Sequence, residues 1–421
     1  MKKLIILGGN PETAQLVEYA NKMGVFTIVI DPNPNSPAKK IASKSYDIDG
    51  FDVENIVKVA KEEKVDGVLV GVADILVKPY YEICQKLNFP CYATKEAIEY
   101  LTNKASFNEL CKMHSIDTIP SFSYEDVKKE DFNEFPIVIK PVDNGGGVGI
   151  EVCEKKEDFD KMYEAALNAS KRKIVLIEKY MNCDDMFSHY TIQDGKIYLS
   201  VVGDRITKQT TKDSTPVCIL ARYPSKHINE YIENVDEKVK KMIKALNIKN
   251  GILNIQFFKE NDKFYAYDPG FRLQGEGMHF YFKEICGFDH REMLINFALS
   301  GKFGESIEKL NDPFLHKKRA YTIWLLVNKG KIGKIEGMDE IKKESSIIHI
   351  VQRFYDGDEV SESFLGTEKQ VFCRIYVVVD KKEEAIKTIE KIKEKVHVYD
   401  ENNKEMILDF YDTFFKEVEN G

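Results

Sequence analysis

The first ninety residues alternate between short runs that are apolar throughout and longer stretches whose apolar positions recur with a helical period. Strands that are apolar on both faces and alternate with amphipathic helices are typical of a parallel sheet covered by helices on each side. The pattern therefore predicts such a sheet near the N-terminus, built in the order Lys3–Leu7, Pro11–Met23, Phe26–Ile30, Val53–Glu62, Val65–Val70 and Asp74–Leu87.

Polar or glycine-rich turns follow the predicted strands at Gly8–Asn10, Asp31–Asn33 and Gly71–Asp74. Because ligands of parallel sheets bind at the carboxyl ends of the strands, we expect these turns to gather at one binding edge. The dinucleotide spacing GxGxxG is absent, since Asn10 stands two residues after Gly8, and a nicotinamide or flavin site is not expected. Asp31 fits a ribose contact or a turn equally well.

The pattern changes after two short helices that are predicted within residues 94–118. An apolar strand at 135–141 runs into a glycine-rich loop, and strand-rich segments follow at 186–203 and 250–268, with a hairpin signal at Asp194-Gly195. The tail from about residue 317 mixes strands with a charged helix, Lys382–Lys395. We therefore expect a fold with α/β and α+β parts, divided into residues 1–93, 94–118, 119–185, 186–316 and 317–421.

Charge and cysteine content narrow the class of protein. The chain has 421 residues, and 61 Lys+Arg against 69 Asp+Glu give a formal net charge of −8, which argues against partners such as nucleic acid or an anionic membrane. No run approaches the roughly 18 apolar residues of a membrane span, and the first apolar run is shorter than a signal peptide requires. The eight cysteines form no CxxC pair, so they indicate reduced thiols in a cytoplasmic protein.

Three consecutive glycines, Gly145, Gly146 and Gly147, follow the strand that ends in Lys140-Pro141. Such a loop exposes backbone N–H groups without side chains in the way, and it can fold over phosphate oxygens. It is not a P-loop, because no Lys-Ser/Thr follows. Lys140 favours phosphate binding because an amine there would offset phosphate charge, although a flexible surface turn also explains the glycines.

A charged pair, Glu178-Lys179, stands at the end of the next apolar strand and is followed by Tyr180 and Met181. This segment fits an ordinary edge strand. It fits equally well a hinge whose backbone pairs with an adenine while the acid meets the exocyclic amine. Asp185, seven residues after Glu178, would then hold the ribose hydroxyls.

Two apolar strands around 251–258 and 264–268 are predicted to pair as an antiparallel hairpin. Gln256 and Asp268, each in apolar surroundings, are expected to meet across it. Buried oxygen ligands in such a setting suit Mg²⁺ bound to phosphate. Arg272 would stabilise an anionic intermediate, and the alternative is a purely structural pair between Asp268 and Arg272.

The order of these segments resembles the ATP-grasp superfamily of carboxylate–amine ligases, which includes biotin carboxylase, D-alanine ligase and carbamoyl-phosphate synthetase. The resemblance covers about residues 1–315 and rests on Asn103-Lys104, the strand lysine, the glycine loop, EKYM, and the twelve-residue step from Gln256 to Asp268. The C-terminal hundred residues are similar to the last domain of L-amino-acid ligases, in GKIGKIEGMDEIKK, GDEV and CRIYVVVDKKEEAI. The resemblance implies that the five predicted parts are, in chain order, a pre-ATP-grasp domain, a helical linker, a lid subdomain, a catalytic subdomain and an L-amino-acid-ligase-like domain.

The resemblance implies a site for ATP and Mg²⁺, or Mn²⁺ in its place. Lys104 and Lys140 would contact the phosphates beneath the glycine loop, Glu178 and the backbone of Lys179, Tyr180 and Met181 would hold adenine, and Asp185 the ribose. Gln256 and Asp268 would bind the metal, and Arg272 would face the acyl-phosphate.

The chain departs from the superfamily pattern at the metal positions. Gln256 stands where the first metal carboxylate is usual, and Gly270 replaces the usual asparagine, so that Asn254 or Glu276 would have to compensate. The segment that resembles the substrate loop of L-amino-acid ligases lacks the expected acid. It is basic instead, which implies a substrate with additional negative charge at the residues Arg205, Lys208 and Arg222.

The expected function is an ATP-dependent ligase that activates a carboxylate as an acyl-phosphate, joins it to an amine, and releases ADP and phosphate. One alternative is activation of bicarbonate, as in carbamoyl-phosphate synthetase. Another is an ATP-binding protein that has lost catalysis through its weakened metal site. The expected partners are small-molecule carboxylate and amine substrates, and a homodimer is among the assemblies left open.

Overall fold

The computed structural model of the chain describes residues 1–141, 151–170, 172–211 and 216–421. The glycines predicted to cover phosphate, Gly145, Gly146 and Gly147, lie outside the described residues. The fold is a mixed α/β fold, as predicted, in which the two largest elements are a parallel N-terminal sheet and an antiparallel sheet of eight strands.

The N-terminal sheet has four parallel strands in the order β3-β2-β1-β4, which confirms the predicted parallel sheet. Nearly every residue of β1, β2 and β4 is buried, which explains why these strands are apolar throughout. The strands are β1 (Lys3–Leu7), β2 (Phe26–Ile30), β3 (Lys44–Tyr46) and β4 (Gly67–Val70). The helices are α1 (Pro11–Lys22), α2 (Pro37–Ile41), α3 (Val53–Glu63) and α4 (Val77–Leu87).

The turn after β1 leads directly into α1. Asn10 caps this helix by accepting a hydrogen bond of 2.8 Å from the N–H of Thr13, and Pro11 occupies the first turn. The short elements β3 and α2 were not predicted, because each has too few residues to establish a period.

Two helices, α5 (Lys95–Leu101) and α6 (Lys104–Met113), occupy the predicted linker. A four-stranded antiparallel sheet follows, in the order β5-β8-β6-β7. Its strands are β5 (Ser121–Phe122), β6 (Ile137–Pro141), β7 (Glu151–Cys153) and β8 (Val175–Lys179), accompanied by α7 (Tyr124–Lys128) and α8 (Phe159–Ala169).

The eight-stranded antiparallel sheet has the order β13-β12-β9-β10-β11-β14-β18-β16 and therefore crosses the predicted boundary at residue 317. The predicted hairpin at Asp194-Gly195 joins β9 to β10, with positive φ at both residues. The strands are β9 (Asp184–Gln193), β10 (Lys196–Lys208), β11 (Val217–Tyr223), β12 (Gly251–Glu260), β13 (Lys263–Gly270), β14 (Arg319–Leu326), β16 (Ile347–Gln352) and β18 (Val371–Val379). The helices in this part are α9 (Ile228–Tyr231), α10 (Glu237–Ala245), α11 (Met278–Tyr281) and α12 (His290–Ser300).

The C-terminal part adds a small sheet in the order β17-β15-β19 and the predicted charged helix, which is α14 (Lys382–Lys395). The remaining elements are β15 (Gly330–Glu336), β17 (Glu359–Val360), β19 (His397–Asp400), α13 (Met338–Ile341) and α15 (Tyr411–Glu419). Among the described residues, no helix has the length and apolar character needed to cross a membrane.

Candidate functional site

The centre of the site is the hairpin of β12 and β13. Gln256 lies directly opposite Asp268, and Asn254 lies opposite Gly270. Because residues opposite each other in an antiparallel pair point to the same face, these positions share one face of the sheet. The predicted meeting of Gln256 and Asp268 across the hairpin is confirmed.

Lys104 brings a positive charge to this face. It is the first residue of α6, whose N-cap Asn103 accepts hydrogen bonds from the N–H groups of Ala105 and Ser106. The Lys104 Nζ atom lies 3.4 Å from Asp268 Oδ1, and both side chains are about two-fifths exposed, at 42% and 43%. An amine and a carboxylate therefore stand together at a point that solvent can reach.

Arg272 pairs with Asp74, and the alternative of a structural pair between Asp268 and Arg272 is wrong. The Arg272 Nη2 atom donates to Asp74 Oδ2 at 2.5 Å, so an acid from the turn after β4 reaches the β12–β13 hairpin. The carboxyl edge of the N-terminal sheet thus faces the hairpin.

Lys140 and Glu178 form a buried ion pair between β6 and β8. The Lys140 Nζ atom donates to Glu178 Oε2, and the two side chains are only 13% and 7% exposed. Val138 lies opposite Glu178, and Lys140, two residues further along β6, therefore projects from the same face of the sheet. The carboxylate predicted to meet adenine is thus already paired with the lysine predicted to meet phosphate.

The predicted adenine segment forms the junction between two sheets. The N–H groups of Lys179 and Tyr180 donate to the carbonyl oxygens of Pro120 and Pro136, at 2.9 and 3.2 Å. The Lys179 Nζ atom donates to Glu260 Oε2 at 2.9 Å, which ties the end of β8 to the end of β12. Met181 follows directly after these contacts and is buried.

Asp185 and Arg205, which were predicted to bind ribose and substrate respectively, contact each other. Arg205 Nη1 lies 3.2 Å from Asp185 Oδ2, its Nη2 lies 3.4 Å from Glu276 Oε1, and the Tyr267 hydroxyl donates to Asp185 at 3.0 Å. Burial raises the pKa of Asp185 to about 6, although the neighbouring Arg205 guanidinium counteracts part of this effect. These residues form one largely enclosed network beside the hairpin.

The prediction that Arg222 belongs to the substrate site needs correction. Arg222 lies opposite Asp204, and it donates to that carboxylate at 2.6 and 2.9 Å. Because Asp204 and Arg205 are successive residues of β10, their side chains point to opposite faces of the sheet. Arg222 is therefore on the face away from Arg205, where its third hydrogen bond reaches the carbonyl of Glu417.

Comparison with known protein families shows which proteins this chain is similar to. Residues 103–303 match the family model described as the ATP-binding domain of the carbamoyl-phosphate synthase L chain. The matched span runs from the α6 cap through the hairpin to Arg272 and beyond. The ATP-grasp resemblance expected from the sequence is confirmed for this span of the chain.

Curated relatives match the ATP-grasp region at low identity. The formate-dependent phosphoribosylglycinamide formyltransferase of Prochlorococcus marinus subsp. pastoris is 28% identical over 200 residues, which are 46% of this chain and 51% of that enzyme. The carbamoyl phosphate synthase large chain of Clostridium beijerinckii is 24% identical over 285 residues, covering 63% of this chain and 26% of that protein. The chain thus spans about half the length, or less, of these relatives.

Solved ATP-grasp structures share the fold over almost the whole chain. The phosphoribosylglycinamide synthetase of Anaerococcus prevotii has a TM-score of 0.75 at 19% identity, covering 95% of this chain and 100% of that one. The L-amino acid ligase of Bacillus licheniformis has a TM-score of 0.74 at 18% identity, covering 95% and 99%. The biotin carboxylase domain of the Hydrogenobacter thermophilus 2-oxoglutarate carboxylase has a TM-score of 0.76 at 16% identity, covering 99% and 94%.

The donor set of this ATP-grasp hairpin fits a magnesium ion that is also bound by phosphate. Within the described residues, no three His, Cys, Asp or Glu side chains are grouped so that they could hold a metal. Mg²⁺ nevertheless needs only one or two carboxylates when nucleotide phosphates and water complete its shell. Asp268 supplies one carboxylate, Gln256 an amide oxygen, and the buried Oδ1 atom of Asn254 has no hydrogen-bond partner among the described residues.

Sequence reasoning missed a second charged cluster, which lies beside the network of Asp185, Arg205 and Glu276. Glu12, in the first turn of α1, accepts a hydrogen bond from Arg353 Nη2 and another from Arg374 Nη1 at 3.2 Å. The Arg374 Nη1 atom also donates to the carbonyl of Gly275 at 2.9 Å, next to the Glu276 network. Burial disfavours ionisation of Glu12, but the two guanidiniums outweigh this and lower its pKa. In the sequence, only the position of Glu12 just after the turn that follows the first strand could have marked it as a candidate site residue. Nothing in the sequence marked Arg353 or Arg374.

Proposed function

We propose that this chain is an ATP-dependent ligase that activates a carboxylate as an acyl-phosphate, joins it to an amine, and releases ADP and phosphate. The observation that carries the proposal is the face of the β12–β13 hairpin, where Gln256 and Asp268 stand opposite each other between the cations Lys104 and Arg272. Oxygen donors beside two cations suit a metal–triphosphate and the acyl-phosphate made from it.

The roles of the nucleotide-binding residues are part of the same proposal. Lys104 would move from Asp268 to the phosphates, and Lys140 would contact them while it stays close to Glu178. Adenine would lie against the segment Glu178, Lys179, Tyr180 and Met181, and the ribose hydroxyls would meet Asp185. The glycine loop with Gly145, Gly146 and Gly147 is proposed to cover the phosphates.

The chain's own residues would perform the chemistry as follows. Asp268 and Gln256 would hold Mg²⁺, which when bound offsets the charge of the phosphates. Arg272, which is paired with Asp74 in this structure, would stabilise the negative oxygen that develops when the acyl-phosphate forms and when the amine attacks it. Closure of the site would exclude water, which would otherwise hydrolyse the acyl-phosphate.

The substrates belong to the proposal as well. Arg205, Arg353 and Arg374 bring positive charge close to the hairpin, which favours a carboxylate or an amine partner with additional negative charge. The family model, described for carbamoyl-phosphate synthase, favours bicarbonate as a second candidate for the activated acid. A protein that binds ATP without turnover is the outcome to be excluded by experiment.

Cellular location and assembly are proposed on separate grounds. All eight cysteines are free, which suits a reducing cytoplasm. A homodimer is proposed because the biotin carboxylase domain of Hydrogenobacter thermophilus was crystallised as a dimer. Sedimentation of the purified chain would test the assembly, and a monomer at micromolar concentration would contradict it.

The activity is tested by measuring ADP and phosphate release from MgATP with a matrix of carboxylates and amines, including bicarbonate with ammonia. We expect release that depends on both a carboxylate and an amine. Asp268→Asn should abolish this release without lowering the melting temperature, because it removes the hairpin's carboxylate ligand. Asp262→Asn is the matched control, since Asp262 is exposed at the turn of the same hairpin. A folded Asp268→Asn protein with full turnover would disprove the metal role.

A further inference from the structure

The hairpin by itself carries fewer acidic ligands than the superfamily pattern implies. Four positions share this face of the hairpin, namely Asn254, Gln256, Asp268 and Gly270. Asn254 and Gln256 are neutral amides and Gly270 has no side chain, so Asp268 supplies the one carboxylate. A shortage of negative charge in this place would weaken a magnesium site, because Mg²⁺ prefers charged oxygen ligands. The surroundings of Gly270 indicate where a second carboxylate comes from.

The Asp74 carboxylate borders the space that a side chain at position 270 would enter. A Cβ atom placed on Gly270 would lie 3.4 Å from Asp74 Oδ1 and 3.4 Å from Arg272 Nη1. The backbone of Gly270 is not in the left-handed region, so its conformation does not require glycine. The absence of a side chain instead leaves room for an acid from the N-terminal sheet to approach the hairpin face.

Asn254 provides an independent indication that a ligand binds at this point. Its side chain shares the face of Gly270, the residue is only 5% exposed, and the Oδ1 atom has no hydrogen-bond partner among the described residues. Leaving a buried acceptor unsatisfied typically costs about 1–3 kcal/mol. A cation beside Gly270 would satisfy this oxygen, whereas the neighbouring carboxylates have no proton to donate when they are ionised.

We propose that Asp74 supplies the second carboxylate of the nucleotide-dependent magnesium site, so that the metal is held between the turn after β4 and the β12–β13 hairpin. This inference rests on the proposed function only in so far as the metal arrives with a nucleotide. The amide oxygens of Gln256 and Asn254 complete the protein's donors, and the phosphates and water supply the rest.

The ion pairs on this face explain why metal and nucleotide would bind together. Asp268 is paired with Lys104, and Asp74 is paired with Arg272, so each acid already has a cation partner. A metal ion alone would have to compete with both cations. Nucleotide phosphates would attract Lys104 and Arg272 and thereby release the two carboxylates to the metal. Metal affinity should therefore depend on the presence of ADP or ATP.

The test measures Mn²⁺ binding by electron paramagnetic resonance, with and without ADP, for the full chain. Wild type should bind Mn²⁺ much more tightly with ADP than without it. Asp74→Asn should weaken Mn²⁺ binding in the ADP complex by roughly 10–100-fold, whereas Asp262→Asn should leave it unchanged. Asp74→Ala combined with Gly270→Asn should recover much of the lost affinity, because the new amide enters the space that Asp74 has left.

The outcomes separate this inference from the proposed function. Unchanged Mn²⁺ affinity in Asp74→Asn, with reduced turnover, would mean that Asp74 only orients Arg272, and it would overturn the inference while leaving the ligase intact. Absence of ADP-dependent Mn²⁺ binding in wild type would overturn the proposed function itself.

A second measurement uses only the wild-type chain, so its result does not depend on whether a variant folds. Fe²⁺ with ascorbate and peroxide, added with ADP, should cleave or oxidise the chain near residue 74 as well as near 268. Cleavage confined to the hairpin would contradict a ligand from the N-terminal sheet.

Discussion

At the scale of single residues, the Lys140–Glu178 pair shows how one contact can serve both stability and binding. The two side chains are almost fully buried, and each is the charge partner of the other. Removing one member of a buried pair leaves the second charge uncompensated, which typically costs about 3–5 kcal/mol. A loss of nucleotide affinity in a Lys140 variant would therefore not by itself prove contact with phosphate.

A pair of variants separates the two effects. Lys140→Met should lower the free energy of unfolding by about 3–5 kcal/mol, because Glu178 is left unpaired. It should also weaken ATP binding roughly 10- to 150-fold if Lys140 contacts phosphate, since a charge-assisted hydrogen bond contributes about 1.5–3 kcal/mol. Lys140→Met with Glu178→Gln should regain stability in urea titrations but not ATP affinity in calorimetry. Recovery of both would assign Lys140 a structural role alone.

At the scale of elements, the sheet β5-β8-β6-β7 differs from the rest of the molecule in having a small core of its own. Nearly all of the other buried apolar residues that the structure describes, from the N-terminal sheet to α15, form one continuous cluster. The small core consists of Val127, Ile137, Ile139, Cys153, Phe159, Ala166 and Ile177. A sheet with so little buried apolar surface should open more readily than its neighbour, which suits the proposed lid at residues 119–185.

Hydrogen exchange can test this difference. Amides of β6 and β8 should exchange faster than those of β9 and β12, because local opening exposes only the small core. Phe159→Ala should accelerate exchange in β6 and β8 further, since burial of a phenylalanine contributes about 3–5 kcal/mol, and should leave β9 and β12 protected. Phe257→Ala, in the large core, is the matched comparison. Equal loss of protection in both sheets upon Phe159→Ala would show that the two sheets open as one unit.

At the scale of the whole molecule, three buried histidines link stability to pH. His189, His279 and His290 are at most 2% exposed, and the rings of His189 and His290 stack with their centroids 5.0 Å apart. Burial lowers the pKa of His290 to about 3, and it holds the pKa values of His189 and His279 well below the usual range. The folded protein therefore keeps these rings neutral at pH values where the unfolded chain protonates them.

Stability should fall with decreasing pH below about 6.5, which is the pKa of these groups in the unfolded chain. Because the unfolded chain binds up to three additional protons, the free energy of unfolding should drop by at most roughly 4 kcal/mol per pH unit as the pH falls below 6. Urea titrations at pH 7.5, 6 and 5 would measure the slope. His279→Leu should reduce it by about one proton, and His114→Leu, at a partly exposed site, is the comparison variant. An unchanged slope in His279→Leu would disprove this account.

The sequence alone determined the features that depend on local pattern. Uniformly apolar runs predicted the parallel N-terminal sheet, and the predicted bounds of α14 agree with the structure, because both rest on a period read over neighbouring residues. The spacing of Gln256 and Asp268 predicted their pairing, since a short hairpin constrains its own register. The order of motifs predicted the ATP-grasp resemblance, which the family model confirms over residues 103–303.

Only the tertiary structure decided which distant residues meet and which face of the large sheet forms the site. Asp74 and Arg272 are 198 positions apart, and Glu12 lies 341 and 362 positions from Arg353 and Arg374. Alternation along β10 places Asp204 and Arg205 on opposite faces of the sheet, and Arg222 shares the face of its partner Asp204. The sequence does not show this pairing or which face lies near the N-terminal sheet, and so Arg222 was assigned wrongly. Such contacts depend on how separate sheets pack, and this packing is determined by the burial of many side chains together. A local sequence period indicates only which side of one element is buried.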